Sequence, residues 1–319
     1  MSSGRLDYID AAKGLGIMLV AVGHFTAQSA PLWYDSLWSL IFLFHMPLFF
    51  FLSGMTSCLS RNRTAFKTYF LSRTLRLLVP YLVASLCYEA MMVYIHGIGA
   101  FSFKFLYTYP GKQAVYLWFL PALWLCSLVS YPLVHLKLRF LFPIALLSFF
   151  LLLPSFPHLP GYLNDCRLYL PYVLFGSFWW RWQSKGEGSS SQMIFALLTL
   201  LMGLVLCNYL FSNYDLSVKT LVSFLLALLC TMCVLFAFQF IFTPRWIVKI
   251  GMVSMLIYLL HPMILYPFKY IYEQHIMTGS LSFGCLMVVG VSLSCFVPYI
   301  LDRFVGRFLP WVKVLYGSH

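Results

Sequence analysis

Four ionisable side chains, His24, His45, Glu89 and His261, lie inside long apolar stretches of the sequence. A titratable group surrounded by hydrocarbon is costly, so such residues are candidates for function wherever they occur. Histidine titrates near neutral pH and can both accept and release a proton, which suits general acid–base catalysis. These four residues are therefore the candidate catalytic groups.

Their expected depths coincide. If each stretch is a membrane helix, a rise of about 1.5 Å per residue places the four side chains about 16 to 22 Å from the cytoplasmic face. Unrelated buried histidines have no reason to share one depth, so the coincidence indicates a site. Taken singly, an intramembrane histidine is equally well explained as an interhelical hydrogen-bond partner, and Glu89 as a protonated structural carboxyl.

A basic residue shares a helix face with the first histidine. Lys13 and His24 are 11 residues apart, so at about 100° per residue their directions on an α-helix differ by only about 20°. Asp10 lies on the same stripe, three residues from Lys13, where opposite charges pair. The stripe links a charged cytoplasmic mouth to a deep histidine.

Two further arginines point to phosphate chemistry. Arg73 and Arg76 are three residues apart where a short basic loop leads into the third apolar stretch. Two guanidinium groups on one helix face can bind a phosphate through paired N–H donors. From charge alone, a basic anchor on the cytoplasmic side is the more frequent explanation of such a cluster.

Prolines follow two of the histidines, as His45-Met46-Pro47 and His261-Pro262. A proline inside a helix frees the carbonyl four residues earlier and kinks the helix, which opens room beside the histidine. Tyr258 shares a face with His261 at i,i+3 spacing.

The elements that position these residues must be membrane helices. Of 319 residues, 61% are hydrophobic and 9% charged, and the mean hydropathy is +0.85, whereas a soluble domain carries about 25% charged residues. So few charges cannot cover a water-soluble surface, which excludes soluble enzymes and nucleic-acid-binding modules. The cysteines fall mostly in apolar runs and indicate small buried hydrophobes, so no metal is expected.

The sequence predicts an all-α, polytopic membrane protein of about ten transmembrane helices in a single membrane-embedded domain over residues 1–319. The predicted spans are 11–29, 37–58, 74–95, 114–134, 140–154, 168–183, 193–211, 218–242, 250–267 and 281–301. A flexible linker is predicted at 185–191, where Gly and Ser predominate. Sixteen of the 21 Lys and Arg residues then fall on one side, which predicts that both termini are cytoplasmic.

Motifs along nearly the whole chain occur in a characteristic order. They are Asp10-x-x-Lys13 with His24, Phe44-His45-Met46-Pro47, Arg73-x-x-Arg76 with Val79-Pro80-Tyr81, Leu117-Trp118-Phe119-Leu120, Leu170-Pro171 with Gly176, and Ser254-x-x-x-Tyr258-x-x-His261-Pro262. Each is weak alone, but the ordered set is specific. It resembles the acyltransferase 3 family of membrane O-acyltransferases, and most closely its fucose 4-O-acetylase-like branch, which modifies cell-surface sugars.

The resemblance implies an acetyl-CoA donor from the cytoplasm and an acceptor hydroxyl on a surface glycan or its lipid-linked precursor, at the cytoplasmic (inner) membrane. Carried over to this chain, His24 is the catalytic histidine, while Lys13, Arg73 and Arg76 bind the donor. The family usually has arginine at the Lys13 position, and lysine lacks its planar fork of donors. Because no SGNH-type extracellular domain follows, transfer is expected to be completed within the membrane domain.

In the implied mechanism, the basic residues hold the CoA phosphates and the pantetheine arm runs inward to His24. His24 accepts the proton of the sugar hydroxyl, or first carries the acetyl group, and His45, Glu89 or His261 orients it. The candidates for contact with the acceptor are Trp118 and Tyr258.

A second class of function fits the residues alone. Ten spans with intramembrane histidine and glutamate also suit a proton-coupled exporter of a glycan precursor, although no internal repeat typical of transporters is visible. Membrane lipids are expected partners and nucleic acids are not, and the sequence leaves the oligomeric state open.

Overall fold

The structure, a computed structural model, describes residues 7–27, 30–61, 65–96, 117–134, 136–149, 161–184, 216–274, 276 and 278–308. Every regular element within these ranges is helical, so the predicted all-α class is confirmed. The helices are α1 (Asp7–Gly23), α2 (Leu32–Arg61), α3 (Phe66–His96), α4 (Phe119–Val134), α5 (Leu138–Phe149), α6 (Gly161–Gln183), α7 (Leu216–Phe236), α8 (Arg245–Met252), α9 (Ser254–Glu273) and α10 (Ser280–Phe308). A π-helical turn at Ala237–Ile241 extends α7.

Several of these helices are long and apolar enough to cross a bilayer. Four of them qualify on their own, over Leu32–Cys58, Phe66–Met91, Val222–Ile241 and Ser280–Phe308, and α8 with α9 forms a fifth, broken span. The chain is therefore a multi-pass membrane protein. The count of ten spans stays a prediction, and the predicted span 193–211 and the linker 185–191 lie outside the described residues.

The predicted span 250–267 is wrong as a continuous helix. The chain bends by 81° between α8 and α9, with Val253 at the break. Gly251 lies just before the bend, and glycine is the weakest helix former after proline. The break turns α8 away from the axis of α9 and lays it against α1.

The first helix is shorter than the predicted span 11–29, since α1 ends at Gly23. His24 begins the turn that follows, although its backbone N–H still donates to the carbonyl of Val20 at 3.0 Å. Nδ1 of its imidazole lies 2.8 Å from the same carbonyl, so the side chain of His24 folds back on the last turn of α1.

Glycines allow two pairs of helices to approach until their backbones touch. In the α2–α6 crossing, a Cβ at Gly54 would overlap the carbonyl of Val173, and one at Gly176 would overlap the carbonyl of Phe51. Small residues at such crossings are the main means by which membrane helices gain close contact. This crossing lies at the centre of the large hydrophobic core that α1, α2, α4 and α6 share with α7 to α9.

A second glycine crossing joins α1 to α8. A Cβ at Gly14 would overlap the carbonyl of Ile247, and one at Gly251 would overlap the carbonyl of Asp10. The first half of α1 is thereby held against α8, the short arm of the broken span. Since α9 follows directly, the crossing also sets the position of α9 relative to α1.

The α2–α6 crossing makes a stability prediction. Gly176→Ala places a methyl group where a carbonyl lies, so we expect it to destabilise the protein by about 1–3 kcal/mol. Gly284→Ala in α10 is the matched control, because a Cβ there has nothing within 4 Å, and alanine favours a helix by up to about 1 kcal/mol. Thermal unfolding of both variants in the same detergent measures the difference. Equal midpoints would contradict the tight crossing.

Candidate active site

Two of the predicted catalytic histidines meet face to edge. The ring centroids of His24 and His261 are 5.1 Å apart, with an angle of 73° between the ring planes. His261 lies on α9 and is 0% exposed, whereas His24, at the end of α1, is partly exposed. The structure thus joins residues that lie 237 positions apart in the sequence.

The third histidine joins the pair through a phenylalanine. The ring of Phe42 on α2 lies 4.9 Å from that of His45 and 5.8 Å from that of His24. His45 is itself buried, at 2% exposure. Three of the four predicted catalytic groups therefore form one cluster where α1, α2 and α9 meet, which we call the histidine cluster (His24, His45 and His261).

Backbone carbonyls determine which nitrogen of each ring carries the proton. Nδ1 of each histidine lies at hydrogen-bond distance from a carbonyl of its own helix: His24 from Val20 at 2.8 Å, His45 from Ile41 at 2.7 Å, and His261 from Tyr258 at 2.7 Å. A carbonyl oxygen can only accept, so Nδ1 must be the donor. In the neutral ring, Nε2 then holds the lone pair. All three imidazoles present Nε2 as the basic atom.

A proline explains the hydrogen bond of His261. Pro262 has no N–H, so the carbonyl of Tyr258, four residues earlier, lacks its helical donor. Nδ1 of His261 takes that place. The His261-Pro262 dipeptide therefore acts as a unit in which the proline supplies the acceptor that orients the imidazole.

The basic nitrogen of His261 is an unused hydrogen-bonding group. Its Nε2 is buried and has no hydrogen-bond partner among the residues that the structure describes. A buried acceptor without a partner costs about 1–3 kcal/mol, and such groups are uncommon in native structures. The atom is therefore a candidate to accept a hydrogen bond from a bound substrate.

Tyr258 and Trp118, both predicted to contact the acceptor, differ in their position relative to the histidine cluster. The Tyr258 ring is 5.9 Å from that of His261, and its hydroxyl is hydrogen-bonded to the backbone of Phe119. Trp118 lies in an aromatic stack with Tyr169, at 5.3 Å, and Phe50, at 6.5 Å. Tyr258 thus supports the histidine cluster directly, whereas Trp118 is linked to it only through further rings.

Glu89 has no described contact with the histidine cluster. Its side chain on α3 is buried, and no hydrogen bond, ion pair or ring contact joins it to a histidine within the described ranges. Its part in the site stays a prediction.

The Lys13–Asp10 ion pair predicted for α1 is present. Lys13 Nζ lies 3.1 Å from Asp10 Oδ1, as the i,i+3 spacing predicts. Asp10 is buried and its backbone carbonyl touches Gly251. Because α1 is continuous from Asp7 to Gly23, Lys13 and His24 lie along one face of a single helix, as predicted.

The two predicted arginines, Arg73 and Arg76, lie in different surroundings. Arg73 donates to the Ser57 hydroxyl at 2.8 Å, and its guanidinium carbon lies 5.2 Å from the ring centroid of Tyr69. Arg76 is exposed. Arg73 is thus held against α2 in a fixed direction. The bond to Ser57 uses one of the five N–H donors of its guanidinium group.

Metal ligands do not cluster in the described part of the chain, where no group of three or more His, Cys, Asp or Glu residues could hold an ion. Cys230 and Cys233 have CxxC spacing, but they lie on the apolar helix α7 and neither forms a disulfide. The absence of a metal from the reaction stays a prediction.

Sequence reasoning missed Phe42 and Ser57, which contact predicted site residues. Phe42 lies three positions before His45, and helical spacing places it on the same face. Ser57 carried no signal, because its contact with Arg73 depends on how α2 and α3 pack.

One family of known proteins matches nearly all of this chain. The family model described as "Acyltransferase domain", that of the acyltransferase 3 family, matches residues 6–302. No curated protein and no solved structure matches the chain. The matched range includes the histidine cluster, Lys13 and both arginines, and it confirms the family expected from the ordered motifs, while the fucose 4-O-acetylase-like branch stays a prediction. The chain belongs to the acyltransferase 3 family.

Proposed function

We propose that this acyltransferase moves an acetyl group from acetyl-CoA to a hydroxyl of a cell-surface glycan or its lipid-linked precursor, with His24 as general base. The protein would lie in the cytoplasmic (inner) membrane with both termini in the cytoplasm. The observation that carries the proposal is the contact of His24 with His261, in which both rings have Nδ1 tied to a carbonyl and Nε2 as the basic atom.

The chemical step needs one base and returns its proton. The acceptor oxygen attacks the thioester carbonyl carbon while Nε2 of His24 takes the hydroxyl proton. The carbon–sulfur bond then breaks, and the imidazolium gives that proton to the departing CoA sulfur. The products are the acetyl ester and CoA, and His24 returns to its neutral form. Proton transfer of this kind contributes about 10²- to 10⁴-fold to a rate.

Two features of His24 favour its positively charged form, while burial and the nearby ammonium of Lys269 oppose that form. It follows the last residue of α1, where the negative end of the helix dipole favours a cation. The carbonyl of Val20 holds the Nδ1 proton in both charge states. His24 is also the partly exposed member of the histidine cluster, whereas His45 and His261 are buried.

His261 is the residue best placed to assist. Its ring touches that of His24, and its unpartnered Nε2 would accept a hydrogen bond from the substrate. His45 contacts Phe42, whose ring in turn contacts that of His24. For Glu89, which has no described contact with a histidine, we favour a structural role in α3.

The donor would bind at the cytoplasmic end of α1. Lys13 lies about 16 Å along the axis from His24, and the long pantetheine arm of CoA would cover that distance. The fixed guanidinium of Arg73 and the exposed Arg76 would bind the phosphates. Membership of an acyltransferase family favours this enzyme over the proton-coupled exporter that the intramembrane charges alone would allow.

Removal of the base should stop transfer and spare donor binding. We expect His24→Ala to lower acetyl transfer by about 10²- to 10⁴-fold, while acetyl-CoA still raises the melting temperature of the purified protein. His96→Ala, at the end of α3, controls for loss of a histidine. Both quantities are measured with radiolabelled acetyl-CoA and by thermal unfolding. Full turnover in His24→Ala would refute the proposed base.

Removal of Arg73 should weaken donor binding, whereas removal of His24 should spare it. Charge-assisted hydrogen bonds contribute about 1.5–3 kcal/mol, so Arg73→Ala should weaken acetyl-CoA binding about tenfold or more and reduce its thermal shift. Lys67→Ala removes an exposed charge from the first turn of the same helix and serves as the control. If both variants bind acetyl-CoA equally well, Arg73 is not a donor ligand.

The proline beside His261 offers a test of ring orientation. Pro262→Ala restores an N–H that competes with the imidazole for the Tyr258 carbonyl, so we expect turnover to fall about tenfold with acetyl-CoA binding unchanged. Pro267→Ala, five residues on in the same helix, is the matched control. Steady-state kinetics should show the loss in kcat. A loss shared by both variants would point to the helix kink instead.

A further inference from the structure

An aromatic stripe on α2 leads to the histidine cluster. Trp38, Phe42 and His45 are separated by four and three residues, so they share one face of the helix within about 60°. The rings of Trp38 and Phe42 stack at 4.2 Å with 25° between their planes. Both are partly open, with 37% and 38% of their surface exposed, whereas His45 is buried.

The stripe runs from an open surface to the candidate catalytic residues. Phe42 contacts Trp38 on one side and both His24 and His45 on the other. If these rings only contacted lipid tails, their contact with the two imidazoles of His24 and His45 would have no explanation. Leu40, on another face of α2, is 52% exposed and has none of these ring contacts, which marks it as an ordinary exposed apolar residue.

A polar edge lies close to the stripe. Nζ of Lys269 on α9 donates to the Thr26 hydroxyl at 3.4 Å, and Thr26 is two residues beyond His24. Lys269 also lies near enough to His24 to interact with it electrostatically. The surroundings of His24 therefore combine a flat aromatic surface with an ammonium and a hydroxyl group.

This combination fits the chemistry of a pyranose ring. A sugar ring has a face of C–H groups, which packs on the electron-rich face of an aromatic ring, and a rim of hydroxyls, which needs hydrogen-bond partners. We propose that the ring of Trp38, supported by the Phe42 ring stacked beneath it, forms the stacking platform for the sugar ring of the acceptor, with Thr26 and Lys269 at its polar edge. The proposal rests on the proposed function and deepens it, because it assigns the acceptor subsite.

The platform is tested by exchanging the ring for an apolar side chain that lipid would tolerate. Trp38→Leu, Trp38→Tyr and the control Leu40→Ala are expressed in cells that lack the native gene, and base-released acetate is measured on surface glycans. Loss of ring stacking should lower acetate about fivefold in Trp38→Leu. Trp38→Tyr should keep more than half, and Leu40→Ala should match the native protein. All variants should keep the acetyl-CoA thermal shift.

The outcomes distinguish failure of the stacking platform from failure of the proposed acetyl transfer. Native acetate levels in Trp38→Leu would show that Trp38 only meets lipid and would overturn the platform. The same holds for an equal loss in Leu40→Ala, or for loss of the thermal shift in both Trp38 variants, since Trp38 would then be structural. If the native protein itself adds no acetate, the proposed function fails first.

Discussion

The hydrogen bond from Nδ1 of each histidine to a carbonyl of its own helix is the constraint on which the rest of the site depends. Within a membrane no bulk water is present to satisfy an imidazole, so a polar ring must find its partner in the protein. The backbone offers only acceptors at these positions, which assigns the proton to Nδ1 and the lone pair to Nε2. A ring held in this way is rigid and basic at a known atom, which is what a general base requires.

Such rings are useful only if their helices are held at fixed distances. Leucine or phenylalanine at the positions of Gly14 and Gly251 would push α8 away from α1, and α9 with it. The ring contact between His24 and His261 would then be lost, because α9 follows α8 after a single residue. The broken span is therefore a positioning element: its short arm docks on the first half of α1, and its long arm brings His261 to the other end of that helix.

Local spacing predicted what lies along one helix and failed for what lies between helices. The Lys13–Asp10 pair and the contact of Tyr258 with His261 follow from helical periodicity, and the structure confirms them. The break at Val253 and the contact of His24 with His261 depend on tertiary packing, which hydropathy does not encode. The end of α1 at Gly23 is intermediate, since the glycine is visible in the sequence but the contact of the His24 imidazole with the Val20 carbonyl is not.

The early end of α1 itself has a consequence for how donor and acceptor meet. Its 17 residues span about 26 Å, less than the hydrocarbon thickness of about 30 Å, so an α1 that starts at the membrane surface leaves the non-helical residues after His24 at membrane depth. Such backbone is tolerated only where protein surrounds it. Here the Tyr34 hydroxyl donates to the Val22 carbonyl at 2.8 Å, and Phe25, fully buried, packs edge-on against Phe283. These contacts satisfy the exposed end of the helix without extending it. The proposed base can therefore stand at a helix terminus, while Lys13 on the same helix lies about 16 Å from it along the axis.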